Sequence, residues 1–456
     1  MSTTGAPSAA GQQAAGPQRA PRLIPPDGPL SLDDHLARYG ALPFSATPAF
    51  SATSASRASA TPALIAELER SGLTGRGGAG FPAARKMRAV AQAGGQGGPF
   101  GSAVGTVVVA NGAESEPASG KDRLLLTRAP HLVLDGIALA AEAVGATRAY
   151  LCVHGGGGAP ELLLREAITH RERAGLNRVP IQVVAVPGGY VASQETALIS
   201  FLNGGAARPT FVPPRPSDKG AHRRPTLVHN VETLAHIALI ARYGAAWFRE
   251  MGTPRAAGSA LVTVGGAIRR PGVYEISLGT PVGDLLRRAG GPAEPVQAIL
   301  AGGYFGGWLP FPAAQHIALS DEGLRPAGAA FGPGILILLP ESACGLAETA
   351  RVTGYLASHS AGQCGPCSNG LPALADAMEH IAFGQPARDA LRWTKDLMTL
   401  VTGRGACHLP DGTAAIAASA LRVFAGDLRR HAEHGPCARV RRAPMLPTPF
   451  DAPQTS

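Results

Sequence analysis

The apolar positions fall into blocks of different period. Up to about residue 61 the chain is rich in Ala, Ser and Pro and carries no sustained apolar repeat, so 1–61 reads as a mobile N-terminal region. It holds one short helix, over 31–39, with Ser31 as the N-cap. From residue 62 onward, β-branched runs at 107–110, 148–153 and 181–186 alternate with helical patterns at 124–144 and 160–174. Strand, helix, strand is the α/β pattern and predicts one α/β domain over 62–250. Short runs at 261–264, 272–276 and 335–339, punctuated by Gly and Pro around a helix at 282–289, predict a small β-rich domain over 255–342. From 345 to 436 the period turns helical. Segments 371–381, 387–401 and 414–431 carry apolar residues at three- and four-residue spacing, the mark of a helical bundle. Residues 437–456 form a basic, Pro-rich tail.

Composition narrows the function classes. At 456 residues there is room for about three domains. With 45% hydrophobic and 16% charged residues, a fully disordered chain is excluded. No apolar run reaches the roughly 20 residues that span a bilayer, since Asp135 and Glu142 interrupt the best candidate, 132–144. Residues 1–22 lack the apolar core of a signal peptide, so the expected residence is cytoplasmic. The net charge of +9 is scattered, with no basic stripe interleaved with aromatics, which argues against a nucleic-acid partner. Arg439, Arg441 and Arg442 form the densest basic cluster and read as a solvated tail. Of six cysteines, Cys364, Cys367 and Cys407 share the helical region. Without a secretory context, metal ligation is preferred there to a disulfide framework, while Cys152, Cys344 and Cys437 read as incidental thiols.

The strongest chemical clue is Gly72-Leu73-Thr74-Gly75-Arg76-Gly77-Gly78-Ala79-Gly80-Phe81-Pro82-Ala83-Ala84-Arg85-Lys86. Glycines without Cβ let successive amides turn toward one anion, and Arg76 and Lys86 are donors suited to phosphate oxygens. A nucleotide or flavin phosphate is the natural guest. The loop is neither a G-x-G-x-x-G fingerprint nor a Walker A loop, and a plain glycine turn is the alternative. Directly after the run at 107–110, Asn111-Gly112-Ala113-Glu114-Ser115-Glu116-Pro117 puts an amide and two carboxylates at the carboxyl end of a strand, where open α/β sheets bind ligands. The run Gly155 to Gly158 reads as a connecting turn. Cys364-Gly365-Pro366-Cys367 alone is compatible with a redox dithiol, a zinc half-site or an iron–sulfur centre; the following helix and distal Cys407 favour the last.

Two further segments, Gly189-Tyr190-Val191-Ala192-Ser193-Gln194-Glu195-Thr196-Ala197-Leu198 and His229-Asn230-Val231-Glu232-Thr233-Leu234, follow the glycine loop in order. Together these motifs resemble the NADH-oxidising flavoprotein subunit of respiratory complex I and its relatives in NAD-linked hydrogenases and formate dehydrogenases. The resemblance runs from about Pro62 to His434. It implies an FMN-binding α/β domain followed by a ubiquitin-like β-grasp (SLBB) domain, matched at 261–266 and 270–275, and a C-terminal helical bundle with an iron–sulfur site. By matching position, Gly75, Arg76, Gly77, Gly78 and Lys86 would hold the FMN phosphate. Asn111, Glu114, Asn230 and Thr233 would line the flavin, and Phe81 would stack near the nicotinamide or adenine. Glu116 and Glu195 would face NADH, with Glu114, Glu116 and Glu195 the acids of the reacting site and Ser193, Gln194 and His229 at its edge. Cys364, Cys367 and Cys407 would ligate the cluster. The implied reaction moves hydride from NADH to FMN, then single electrons through the cluster to a ferredoxin-like or other redox partner, with peripheral association to a membrane reductase as an option. A scaffold that keeps the fold without NADH oxidation is the alternative.

The chain departs from the family pattern in several places. Ala361 stands where the motif has its first cysteine, so the site would hold a 3Fe-4S cluster, or a 4Fe-4S cluster with His359, Ser360, His408 or water as fourth ligand, or no cluster. An acidic position is Ala113, the usual Gly-Glu-Glu reads Ser193-Gln194-Glu195, and the first Asn of Asn-Asn-Val-Glu-Thr is His229. Val212 and Arg215 occupy the loop that often offers a lysine and an aromatic, with Arg215 able to stack on adenine or bind phosphate. Fewer carboxylates beside the flavin should relax repulsion of a 2′-phosphate, so preference for NADH over NADPH is an expectation open to test.

Overall fold

The computed structural model describes residues 23–25, 28–42, 54–95, 105–155, 158–384 and 388–448. The expected mobility of 1–22 and 43–53, and Gly156 and Gly157 of the four-glycine turn, lie outside them. Four strands, β1 (Thr106–Gly112), β2 (Ala146–His154), β3 (Ile181–Val186) and β4 (Thr226–Asn230), form a parallel sheet in the order β3-β2-β1-β4. Val107, Val108, Val109 and Ala110 of β1 are all fully buried, as a central parallel strand covered on both faces requires. The helices of this domain are α1 (Leu32–Tyr39), α2 (Ser54–Ser71), α3 (Ala83–Gly95), α4 (Lys121–Arg128), α5 (Pro130–Val144), α6 (Ala159–Arg173), α7 (Glu195–Leu202) and α8 (Val231–Arg249).

The single helix expected over 124–144 is two helices at 95° to each other. Pro130, which cannot continue a preceding helix, opens α5 at its first turn. α5 and α8 touch main chain to main chain: a Cβ on Gly136 would lie 2.0 Å from the Leu234 carbonyl oxygen. Asp135, which interrupts the apolar run in the sequence, is a buried hub for His35 (2.7 Å), Arg171 (2.7 Å) and Arg242 (2.6 Å). Burial opposes its ionisation, but these partners prevail and hold its pKa at about 2. Through His35, α1 is docked on the α/β domain. The mobile region expected up to residue 61 is therefore corrected for 28–42, and the folded body, expected from residue 62, takes in a helix that starts at Ser54.

The second sheet contains β5 (Ser259–Gly266), β6 (Gly272–Ser277), β7 (Val296–Ala301), β8 (Gly307–Pro310) and β9 (Ile335–Pro340) in the order β6-β5-β9-β7-β8, with β5 and β9 parallel and the other pairs antiparallel. Helix α9 (Val282–Arg288) and the one-turn helix α10 (Asp321–Leu324) accompany it. β7 and β8 carry no clear sequence signal because they are short and flanked by Gly and Pro, yet Trp308 of β8 is fully buried and its Nε1 donates to Thr349 Oγ1 at 2.9 Å, joining sheet to bundle. The bundle comprises α11 (Gly345–Ser358), α12 (Leu371–Phe383), α13 (Arg388–Val401), α14 (Leu409–Val423) and α15 (Ala425–His434). The helix expected over 414–431 is interrupted at Phe424.

The tail through Thr448 is docked at several points, although Arg441 is exposed as expected. Arg439 pairs with Asp427 at 2.6 Å and Arg442 with Glu294 at 2.8 Å. The amides of Met445 and Leu446 donate to buried Glu348 at 3.1 and 3.0 Å, and Tyr304 Oη donates to the Pro447 carbonyl at 2.5 Å. Among the described residues, no single helix is long and apolar enough to cross a membrane.

Candidate functional site

The sheet brings the motifs together at one edge. Asn111, the last residue but one of β1, pairs in register with Asn230 at the end of β4, and the loop after β3 carries Ser193 and Gln194 to the start of α7. Asn111 Nδ2 donates to the Ser193 carbonyl at 2.8 Å, and the Ser115 and Ser193 hydroxyls meet at 2.5 Å. Lys86 on α3 reaches Glu195 at 2.8 Å. Glycine loop, Asn-Gly-Ala-Glu segment, Ser-Gln-Glu segment and His-Asn-Val-Glu-Thr segment thus converge at the carboxyl ends of parallel strands, the ligand-binding edge of such a sheet.

The glycine loop is a closed turn. Thr74 and Pro82 pair across its base, and the Gly75 amide donates to the Phe81 carbonyl at 2.8 Å. Gly78 and Gly80 adopt φ of +111° and +62°, conformations that side chains resist. Among the described residues, the amides of Gly77, Gly78, Ala79 and Gly80 have no protein acceptor. Four free amides in a turn of this shape fit a phosphate group such as that of FMN. One side of the loop abuts Asn230, to which a Cβ on Gly77 would come within 3.2 Å; the other faces the β-grasp domain across a cleft of about 190 Å³ lined in part by Arg255, Asp321 and Gly332. A larger hollow of about 610 Å³ lies behind the loop, between α2 and α3, and contains none of the carboxylates named above.

Several expected ligand groups are engaged with protein. Arg76 is the clearest correction: its guanidinium turns away from the loop to the carbonyls of Thr74 (3.2 Å), Ala257 (3.3 Å) and Ser259 (3.2 Å), and its amide donates to Thr233 Oγ1 at 2.9 Å. It clasps loop to β-grasp domain rather than offering a charged donor to phosphate. Glu114 accepts from the amides of Asp122 (3.2 Å) and Arg123 (3.3 Å), capping α4, whose own N-cap is Gly120. Gln194 Oε1 accepts from the amides of Thr196 (2.8 Å) and Ala197 (3.1 Å), capping α7 where the family carries an acid. Phe81 is 42% exposed, with Arg85 over its ring at 5.7 Å, and so is free to stack.

Glu116 sits deeper than a residue facing an open pocket. Its Oε2 accepts from Tyr190 Oη at 2.8 Å and the Tyr304 amide at 2.9 Å, joining α/β and β-grasp domains, while Oε1 is buried without a partner. Burial pushes its pKa up to about 7 against the pull of those donors. Burial, reinforced by Lys86, lowers the His229 pKa to about 3, so its imidazole is neutral, and its Nε2 is likewise buried without a partner.

A buried charge network behind the flavin-side motifs is not legible in the sequence. Lys121 Nζ contacts Asp122 at 2.7 Å, Glu232 at 2.9 Å and Asn230 Oδ1 at 3.3 Å, and Asn230 Nδ2 donates to Asp122 at 2.7 Å. Burial disfavours the Glu232 carboxylate, yet Lys121 outweighs it and the pKa falls to about 2; burial raises Asp122 to about 7 in spite of Lys121. Glu232 also accepts from the Leu261 amide of β5 at 2.8 Å. The one signal available is Glu232 itself, inside a recognised motif.

In the bundle, Cys364 and Cys367 open a π-helical turn (Pro366–Gly370) that runs into α12, and Cys407 lies just before α14. The Cys364 and Cys367 thiols are hydrogen-bonded to each other, and main-chain amides are aimed at all three sulfurs: Ala406 and Cys367 at Cys364, Ala361 at Cys367, Leu409 at Cys407. Burial works against a Cys364 thiolate, but its donors hold the pKa below the usual range. Three sulfurs with converging amide donors suit an iron–sulfur cluster. Of the residues considered for the fourth ligand, His408 is exposed and hydrogen-bonded to Asp411 at 3.2 Å, whereas the His359 ring packs on Tyr355 at 4.4 Å.

Comparison with known proteins agrees with this arrangement. The sequence matches the family described as the Nuo51 FMN-binding domain over 68–239, the SLBB domain over 261–304 and the NADH-ubiquinone oxidoreductase-F iron-sulfur binding region over 342–431. It is 31% identical over 390 residues to one of the NADH-quinone oxidoreductase F subunits of Rhizobium meliloti (strain 1021), covering 83% of this chain and 90% of that protein. With the NADH-quinone oxidoreductase F subunit of Streptomyces coelicolor it shares 32% over 381 residues, 81% and 82% of the two chains. The crystal structure of an air-oxidised NAD+-reducing NiFe-hydrogenase superposes with a TM-score of 0.73 at 30% identity, over 85% of this chain and 66% of that one. The chain belongs to the NADH-quinone oxidoreductase F-subunit family, NADH dehydrogenase-type oxidoreductases that work with FMN and an iron–sulfur cluster.

Proposed function

We propose that this chain oxidises NADH at the carboxyl edge of the parallel sheet and sends single electrons out through the three-cysteine site to a separate redox protein. The observation that carries this reading is the turn of four free amides beside Asn111, Asn230 and the Lys86–Glu195 pair, on a chain that also presents three cysteines with converging amide donors. When bound, FMN supplies hydride acceptance and the change from two-electron to one-electron transfer, and the cluster supplies the one-electron exit.

Gly77, Gly78, Ala79 and Gly80 would bind the phosphate through their amides. Asn111 and Asn230, locked by Ser193, Lys121 and Asp122, would fix the flavin ring's orientation, which is most of what the protein contributes to hydride transfer. Phe81 would stack on the incoming nucleotide, and Glu195 would accept ribose hydroxyl hydrogen bonds, with Lys86 holding it in place. The buried pair of Glu116 and Tyr190 excludes water behind that position. Between the two ends, Tyr190 packs with Phe305 at 5.0 Å and Tyr355 at 6.0 Å, and Tyr355 packs on His359, two residues from Ala361. Cys364, Cys367 and Cys407 would hold the cluster, and Trp393 and Leu400, exposed on α13, offer apolar area to a ferredoxin-like partner.

The test is anaerobic mixing of the purified yellow protein with NADH or NADPH. Rapid bleaching by NADH, followed by a cluster EPR signal, is expected. Flavin unchanged by excess of either nucleotide would establish a scaffold instead. Bleaching by NADPH at an equal or better rate would overturn the NADH preference while leaving the oxidoreductase reading intact.

A further inference from the structure

Two of the cysteines that read as incidental in the sequence meet a histidine. Cys344 lies just before α11, His431 on the last turn of α15, and Cys437 three residues past its end. Their two sulfurs and one imidazole nitrogen all lie within 4.8 Å of one another, with Cys344 Sγ 3.9 Å from His431 Nε2. Cys344 and His431 are fully buried, and only Cys437 meets solvent.

We propose that Cys344, His431 and Cys437 form a second metal site, separate from Cys364, Cys367 and Cys407, that takes a single thiophilic d10 cation, Zn²⁺ or Cu⁺, through two sulfurs and one nitrogen. The imidazole is oriented for ligation. Its Nδ1 donates to the Ile381 carbonyl at 3.2 Å, which leaves the lone pair on Nε2, on the side of the two sulfurs. Nε2 now accepts from the Cys437 amide at 3.2 Å, so an arriving cation takes over that lone pair and the amide turns to a sulfur. Zinc–sulfur and zinc–nitrogen bonds of about 2.3 and 2.0 Å put tetrahedral ligands about 3.5–3.8 Å apart, so side-chain shifts of a few tenths of an ångström up to about 1 Å close the site.

Burial pushes the Cys344 thiol up to about 12 in spite of the Leu346 and Ala347 amides directed at it from the start of α11, so the cation itself has to supply the charge that draws off the thiol protons. The Arg439 guanidinium hydrogen-bonds Cys437. Two thiolates with Zn²⁺ make a neutral buried unit; with Cu⁺ the remaining negative charge faces Arg439. Binding releases the two thiol protons and changes no oxidation state. Because the ligands come from the entry to α11, the end of α15 and the segment beyond it, the ion would fasten the C-terminal tail to the bundle.

The experiment uses the full-length holoprotein, purified anaerobically with flavin and iron quantified, dialysed against metal-free buffer and offered Zn²⁺ alone or Cu⁺ alone. One additional ion per chain is expected, retained in Cys364→Ser, which loses iron, and lost in Cys437→Ala and His431→Gln. Because His431→Gln is a core substitution, its flavin content serves as the folding check, and part-exposed Cys437→Ala carries the conclusion if that check fails. X-ray absorption at the added metal should report two sulfurs and one nitrogen. No uptake by the wild type, uptake that survives Cys437→Ala, or a Cys344–Cys437 disulfide in the anaerobic protein would overturn the proposal.

Discussion

The two ends of the molecule are built on opposite principles. At the sheet edge the recognisable residues are committed to one another: Glu114 and Gln194 cap helices, Arg76 clasps the loop to β5, and Asn230 is held by Lys121 and Asp122. What is left for a ligand is largely main chain. In the bundle the reverse holds on the reading proposed above, because three thiols would themselves be the binding groups and the main chain only directs amides at them. Substitution therefore acts on shape at one end and on chemistry at the other. On the same reading, Ala113, Gln194 and His229 would change the shape of the sheet edge, whereas Ala361, where the resemblance places the first cysteine, would leave the cluster one ligand short.

The sharpest break of that comparison is Cys367→Ser. It should abolish the cluster EPR signal and electron delivery to a one-electron acceptor while leaving flavin content and NADH bleaching unchanged; loss of flavin alongside iron would show that the ends are not independent. Next is Glu232→Gln, which leaves Lys121 short of a buried partner and should cost about 3–5 kcal/mol in chemical denaturation, with FMN lost before iron.

Glu116 gives a pH-dependent test. Its folded pKa, near 7, exceeds its ordinary value, so the stability it contributes is complete below about pH 4.5 and is lost as pH rises through about 7. Unfolding free energies of the wild type from denaturant titrations should therefore fall relative to Glu116→Gln between about pH 5 and pH 8, by up to about 3 kcal/mol; parallel curves would place the proton elsewhere. The smallest effect is expected from Gly78→Ala. Forcing a side chain to φ +111° costs about 1–3 kcal/mol, which should appear as a tenfold to hundredfold weaker FMN affinity by fluorescence titration, with iron content unchanged.

These contrasts also explain what can be read in advance. The glycine loop, the Asn and Glu motifs and the Cys-x-x-Cys are legible because their signal is local, a residue type at a fixed spacing. Strands β1 to β3 show as β-branched runs, whereas β7 and β8 do not, since Trp308 is specified by Thr349 and Ser419 across the bundle. Lys121 and Asp135 give no pattern because the partners that bury them, Glu232 and Asn230 for the one and His35, Arg171 and Arg242 for the other, lie far along the chain. Asp135 in particular looks like an interruption of an apolar run until His35, Arg171 and Arg242 surround it. Charge and place in the loop point Arg76 at phosphate, and sequence holds no sign that two carbonyls next to β5 would claim it. Cys344 and Cys437 look incidental for the same reason: the histidine between them lies 87 residues from one of the pair.

The docked tail bears on the order of events during synthesis. Glu348, fully buried near the start of the bundle, waits for the amides of Met445 and Leu446, and Tyr304 of the β-grasp domain waits for Pro447. Domains fold as they leave the ribosome, N-terminal first, so the sheet that cradles flavin is complete while the bundle still lacks its closing strap. The flavin-side sheet can thus take its shape before residues 445–447 have tied the bundle to the β-grasp domain.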